Sequence, residues 1–456
     1  MALMIIELLV VLLALYVGSR YGSLALGAIS GIGLAILVFG FGLKPGNPPT
    51  DVIYIIIAAV TCAGVMQAAG GMDWLIQIAE RLLRKHPNHI TFVAPLCTFF
   101  LTVLVGTGHV VYTLMPIIVD IAIKKGIRPE RPCAVASVAS QVGITSSPIA
   151  AAVASFVIIS NANGFEVNNL HVIAITVPAS IIGLLCASAA SYKRGLDLDK
   201  DPEYLKKMED PEFRAEIMQS TTSLDNVISK QAKGSVYIFL GAILTIVLFS
   251  VCQICGCDIR PSFPTGTVLP DGTAQVKPLG MNIIIQIVMI AATGLMIIFC
   301  KANCKKAVDG AVWKSGMVAV VAIYGIAWLA DTFFSNYLPV MQSGLEGIVS
   351  QYPWAIAFVF FLVSVLINSQ GAVVVAMLPL AYKLGIPGPV LLGVLPSVYG
   401  YFFIPNYPSD IATVNFDRTG TTKIGKYLLN HSFMMPGMIS IVVATVVGYG
   451  LAMLFY

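Results

Sequence analysis

Runs of about twenty residues with few or no charges recur from one end of the chain to the other, and each is long enough to cross a hydrocarbon core about 30 Å thick as a helix. A backbone inside lipid must satisfy its own hydrogen bonds, so such a chain folds as a bundle of spanning helices. Of 456 residues, 57% are hydrophobic and only 11% charged, where soluble domains carry about 25%. A soluble enzyme is excluded. The 27 Lys and Arg and 23 Asp and Glu are spread thinly rather than gathered into a patch, so the expected partner is the lipid bilayer and not nucleic acid. The first run, 2–17, has no basic leader and no small-residue cleavage site, and it holds Glu7. It reads as a retained span.

One stretch breaks the pattern. Residues 193–233 hold 17 of the 50 charged side chains and no apolar run long enough to span, which makes them an exposed linker between two halves, 1–192 and 234–456. Each half begins with three spans: 2–17, 24–43 and 52–69, then 236–252, 283–299 and 315–334. In the first half Gly106-Thr107-Gly108-His109 is followed by Met115-Pro116 and Gly126-Ile127; in the second, Asn368-Ser369-Gln370-Gly371 is followed by Leu378-Pro379 and Gly385-Ile386. These segments read as helical hairpins over about 90–123 and 352–382. Broken spans come next at about 132–160, around Ser146-Ser147-Pro148, and at about 390–416, around Tyr407-Pro408-Ser409-Asp410. Each half then closes with a last span, 171–192 and 432–455.

Lys and Arg concentrate in cytoplasmic loops. Arg81, Arg84 and Lys85 precede the first hairpin and Lys124, Lys125, Arg128 and Arg131 come after it, whereas 334–354, before the second, has neither residue type. The hairpins therefore enter from opposite sides, as two inverted repeats with both termini periplasmic and the linker cytoplasmic. Residues 253–280 then lie outside, where Cys252, Cys255 and Cys257 are either free thiols or partners in a disulfide. They lack the fourth ligand of a zinc site, and His86, His89, His109, His171 and His431 show no metal-binding spacing, so neither metal nor cofactor is expected.

Four interrupted helices in matching order point to a secondary transporter with its site between the repeats. A helix N-terminus carries roughly half a positive charge, so four restarting helices aimed at one cavity suit a dianion. The candidate substrate contacts are Gly106, Thr107, Gly108, His109, Thr145, Ser146, Ser147, Asn368, Ser369, Gln370, Asn406, Tyr407, Ser409 and Asp410. Each hydroxyl among them has a second reading as a cap of its own helix. Asp410 is a proton or cation acceptor or a capping carboxylate, and His109 a donor or a packed ring. Asp120 and Asp331, nearer span ends, read as structural. Glu80 and Arg84, four apart on the amphipathic stretch 74–85, can pair.

At these residues the sequence resembles the anaerobic C4-dicarboxylate transporter (Dcu) family of bacterial inner membranes. The resemblance covers essentially the whole chain and rests on Lys44-Pro45-Gly46, Ala79-Glu80-Arg81-Leu82-Leu83-Arg84, Gly106-Thr107-Gly108-His109, Ile127-Arg128-Pro129-Glu130-Arg131-Pro132, Asn368-Ser369-Gln370, Tyr407-Pro408-Ser409-Asp410 and Phe416-Asp417-Arg418-Thr419-Gly420. It implies exchange of external fumarate, malate or aspartate for internal succinate during fumarate respiration, by an elevator motion. It also implies a transport role for Glu80, Arg84 and Arg128, read here as a basic cytoplasmic vestibule that gathers anions. Some relatives couple to a membrane histidine kinase; Asn406 stands where Thr is expected and Val365 where some members carry Lys, which argues against that partner here. A homo-oligomer and the identity of any coupling ion are left open. Competing readings are ion-coupled uptake of another organic anion, a passive anion channel and a membrane-embedded enzyme.

Overall fold

The computed structural model describes residues 2–21, 24–218, 222–255, 257–268, 274–405, 407–425 and 430–456. Helix dominates, because with few charges to solvate the backbone must close its hydrogen bonds locally. Three helices open the chain: α1 (Ala2–Tyr21), α2 (Ala25–Ala35, widened through Gly40) and α3 (Thr50–Ala68). The amphipathic α4 (Gly71–Lys85) is next. A hairpin of α5 (Ile90–Val105) and α6 (Val111–Lys124) leads to an interrupted pair, α7 (Glu130–Val142) and α8 (Ala151–Ala162), and then to α9 (Asn169–Ser191). After the short α10 (Pro202–Lys207) and α11 (Pro211–Met218), the second half begins with α12 (Lys230–Ile254), strands β1 (Ser262–Val268) and β2 (Ala274–Pro278), α13 (Met281–Cys300), α14 (Cys304–Asp309) and α15 (Ala311–Gln351). It continues with the hairpin α16 (Ile356–Leu366) and α17 (Gln370–Lys383), the interrupted pair α18 (Gly388–Gly393) and α19 (Pro408–Phe416), and the final α20 (Met434–Phe455).

Among the described residues eight helical stretches are long and apolar enough to cross a membrane. The chain is an all-α, multi-pass membrane protein. Small residues set the helix crossings: a Cβ on Gly27 would lie 2.0 Å from the Val321 carbonyl oxygen, and one on Gly325 2.0 Å from that of Gly27, so α2 and α15 meet backbone to backbone. One apolar cluster joins α1, α2 and α15 to α8, α17 and α18. A second joins α3 to α6 with α12 and α13.

Three features depart from the sequence reading. The charged stretch 193–233 is not merely an exposed linker: Leu198, from a short turn before α10, meets Tyr204 of α10 and Ile217 of α11 in a small apolar cluster, and ion pairs fasten the stretch to the membrane part. Residues 253–280 contain an antiparallel β-hairpin with Ser262 opposite Pro278 and Val268 opposite Ala274. Cys252, Cys255 and Cys257 are free thiols there. Finally, α15 runs on to Gln351 as a single 41-residue helix, whereas Gly70, with φ +85°, separates α3 from α4 in the first half.

Candidate functional site

Four helices restart around one cavity. In the first hairpin α5 ends at Gly106, whose φ of +78° favours glycine and whose amide bonds the Thr102 carbonyl at 2.8 Å. Thr107 is extended, and its Oγ1 accepts from the His109 amide at 3.4 Å before a tight turn, Gly108–Val110, feeds α6. In the second hairpin Ser369 is the N-cap of α17 and accepts from the Ala372 amide at 3.3 Å. The capping reading therefore holds for both hydroxyls. α8 restarts at Ala151, three residues beyond Pro148, and α19 starts with Pro408, whose missing N–H costs nothing at that position.

The cavity has a volume of about 610 Å³, and its wall includes the first residues of all four restarts: Gly108 and His109, Ala151 and Ala152, Gln370 and Gly371, Tyr407 and Pro408. Gly106, Thr107, Asn368 and Ser369 complete the tips. Apolar residues of α2, α3 and α15 close the opposite side, among them Leu26, Ile56 and Ala319, while Arg20 and Tyr21 reach it from the end of α1. No carboxylate side chain lies in this wall among the described residues, and Arg20 is its one cation among them. Such a surface attracts anions.

A buried polar chain joins the restarts. Gln370 Nε2 donates to the Gln141 carbonyl at 2.8 Å and to the Tyr401 hydroxyl at 3.2 Å, and that hydroxyl donates to Gln141 Oε1 at 2.8 Å. Gln141 Nε2 in turn donates to Ser140 Oγ at 3.0 Å and approaches Ser409 Oγ at 3.5 Å. Gln370 Oε1 and His109 Nδ1 are buried without a partner among the described residues; the His109 ring stacks on Tyr112 with centroids 5.5 Å apart.

Several expected contacts lie elsewhere. Thr145, Ser146 and Ser147 are buried, and their hydroxyls are spent on the Val142 carbonyl (3.2 Å), Ser180 Oγ (3.2 Å) and the Val103 carbonyl (2.7 Å). None lines the cavity: the tight turn Gly143–Ser146 folds Thr145 back on Val142 and points Ser146 at α9, and the extended Ser147 after it reaches α5. Ser409 and Asp410 also lie behind the wall, with Asp410 Oδ1 accepting from Ser137 Oγ at 2.7 Å. Asn406 falls outside the described residues. Conversely, Gln141, Tyr401 and Arg20 join the site although the sequence reading passed over them. The first two lie a few residues before the breaks at Ser146-Ser147-Pro148 and Tyr407-Pro408, and Arg20 ends the first span like any loop cation.

Glu80, Arg84 and Arg128 do not line the cavity either. Arg84 Nε bonds Glu80 Oε1 at 2.7 Å and its Nη2 lies 3.3 Å from Asp120, which also pairs with Lys124. Thr222 and Ser223 donate to Glu80 as well. Burial pushes the Glu80 carboxyl up, but the Ser223 hydroxyl and amide, Thr222 and Arg84 outweigh it and hold the group below the usual glutamate range. Arg128 is shared between Glu130 (2.8 Å) and Asp201 (2.6 Å), and Arg131 pairs with Asp197 at 2.7 Å. These cations are matched by carboxylates, so an open basic vestibule does not describe them; they bind the charged stretch to α4 and α7. Asp331 also serves structure, accepting from the Asn47 amide at 2.9 Å. Among the described residues no group of three or more His, Cys, Asp or Glu is placed to hold a metal.

Comparison with known proteins bears on the same chain. Residues 3–456 match the family model described as anaerobic C4-dicarboxylate membrane transporter. The anaerobic C4-dicarboxylate transporter DcuB of Escherichia coli O6:H1 is 44% identical over 99% of this chain and 98% of its own. The C4-dicarboxylate transporter DcuA of Wolinella succinogenes is 36% identical and that of Escherichia coli K12 33%, each over 98% of both chains. Among solved structures, the YdaH transporter of Alcanivorax borkumensis, described as having an unusual topology, superimposes with a TM-score of 0.50 at 11% identity, covering 87% of this chain and 85% of its own. At that identity it speaks for the fold alone. The enzyme reading gives way to that of a transporter, and the chain belongs to the anaerobic C4-dicarboxylate membrane transporter family.

Proposed function

We propose that this chain exchanges C4-dicarboxylates across a bacterial inner membrane, taking in fumarate, malate or aspartate and releasing succinate during fumarate respiration. The observation that carries the reading is the cavity itself: among the described residues, four helix starts, a single cation and no carboxylate in one wall suit a substrate with two negative ends. Gly106, Thr107, Gly108, His109, Asn368, Ser369, Gln370 and Tyr407 are the proposed contacts, with Arg20 at the mouth. The two hairpins and interrupted pairs form a body that slides as an elevator against α2, α3 and α15, and alternating access results from that motion.

Substrate protection tests the site. In a chain whose exposed Cys186, Cys255, Cys257 and Cys304 are replaced by Ser, succinate slows thiol labelling of the Ser369→Cys variant at least about tenfold, the scale of one charged hydrogen bond, and leaves a Glu212→Cys variant unchanged. Equal labelling of the Ser369→Cys variant with and without succinate places the site elsewhere.

The Lys and Arg distribution supports two inverted repeats, periplasmic termini and a cytoplasmic charged stretch. Impermeant thiol reagent added outside whole cells then labels a Tyr456→Cys variant and spares Glu212→Cys. Identical labelling of the two rejects this orientation.

A further inference from the structure

Asp410 lies in the first turn of α19 with 1% of its surface exposed, and it does not cap that helix. Its neighbours come from every element packed against it: Ser137 from α7, Tyr112 from α6, and Tyr399, Tyr401 and Tyr407 from the second interruption. The His109 ring stacks on that of Tyr112, with centroids 5.5 Å apart. Among the described residues no Lys or Arg forms an ion pair with Asp410, although Glu80, Asp120, Glu130 and Asp201 each have one. A buried carboxylate without a countercharge is costly, and the neutral acid is not.

The group is nevertheless wired to the cavity. Ser137 donates to Asp410, the Ser137 carbonyl accepts from Ser140 at 2.6 Å, and Ser140 accepts from Gln141, which meets Tyr401 and Gln370 at the wall. Tyr407 touches both the wall and the surroundings of Asp410. Negative charge in the cavity and a proton on Asp410 therefore belong to one electrostatic unit.

We propose that Asp410 is a proton-binding site that equalises charge when substrates of unequal charge are exchanged. It is the neutral acid when a dianion such as succinate fills the cavity and the carboxylate when a monoanion such as aspartate does, so the moving body carries the same total charge in both directions. In an exchange of external aspartate for internal succinate, the O–H bond forms on the inside and breaks on the outside. One proton leaves with each succinate, and one negative charge crosses each way. This rests on the exchange reading above.

Proteoliposomes loaded with succinate and a pH-sensitive dye separate the two. Succinate offered outside is expected to exchange with no change of internal pH, and aspartate offered outside to raise internal pH by one proton per succinate released. With Asp410→Asn, which keeps shape and hydrogen bonding, succinate-for-succinate exchange stays within about twofold. Aspartate-for-succinate exchange then moves no proton and slows several-fold under an inside-positive potassium potential. Normal succinate-for-succinate exchange with no proton movement in the wild type when aspartate is offered overturns the proposal on its own, without recourse to the variant. Dependence of aspartate-for-succinate exchange on sodium in place of proton movement overturns it too, as does proton movement that survives Asp410→Asn. Failure of succinate-for-succinate exchange in the wild type overturns the exchange reading and takes this inference with it.

Discussion

Replacing Gly108 by Val is expected to abolish exchange, lowering it at least about a hundredfold, a loss of the order of 3 kcal/mol in the productive arrangement. Even the first carbon of a side chain there would lie 2.3 Å from Gln141 Nε2 and 2.8 Å from the Ser140 carbonyl oxygen. Neither neighbour can give way cheaply, because Gln141 is held by Tyr401 and Ser140, and the carbonyl is backbone. The first hairpin tip would have to lift from α7, which separates two of the four helix starts that form the wall. Gly31→Ala is the control, since a Cβ there meets nothing within 4 Å. Counterflow of labelled succinate checks both, and a Gly108→Val chain that exchanges normally contradicts the close approach.

The second large effect is on stability. Glu80 is fully buried and accepts from Arg84, Thr222 and the amide and hydroxyl of Ser223. Glu80→Ala takes their acceptor from Thr222 and Ser223 and one of its carboxylates from Arg84, which keeps Asp120, and removing the acceptor of a buried donor costs about 1–3 kcal/mol. Thermal denaturation in detergent is expected to show a marked loss for Glu80→Ala and none for the exposed Glu209→Ala. The pH dependence has a definite sign. Because the folded Glu80 carboxyl is held below its ordinary value, its contribution is complete above about pH 4.3 and fades as the pH falls through the lower folded value. Loss of stability on raising the pH toward neutrality in the wild type but not in Glu80→Ala contradicts this assignment.

Much of this arrangement was legible in the chain because it obeys local rules. Four-residue spacing put Glu80 and Arg84 on one helical face, and they pair. Gly106-Thr107-Gly108-His109 marks a helix end and then a helix start, since only glycine accepts φ +78° readily and Thr caps the turn that leads into α6. The features that escaped depend on rotation or on distant partners. Ser146 ends a tight turn whose pitch differs from an α-helix and Ser147 follows it in extended conformation, so their hydroxyls point at Ser180 and Val103 rather than at the cavity. Arg128 looked like a free cytoplasmic cation because Asp201 is 73 residues away in sequence. The hold of Thr222 and Ser223 on Glu80 spans more than 140 residues and carries no local signal. The β-hairpin, with strands Ser262–Val268 and Ala274–Pro278, lies in a stretch that the sequence reading took only as an outside segment, because strands this short carry little periodicity.

Membership of the family fixes the substrate class of this chain's relatives, while its mode of action turns on whether the cavity returns empty. In the proposed elevator motion, four helix starts left without an anion would carry uncompensated positive ends through the membrane, which favours a loaded return. The direct measurement is uptake of labelled succinate into proteoliposomes preloaded with unlabelled succinate against matched empty vesicles. Exchange predicts uptake at least about tenfold faster into the loaded vesicles, a difference of about 1.4 kcal/mol between loaded and empty return. Equal initial rates into loaded and empty vesicles would contradict it.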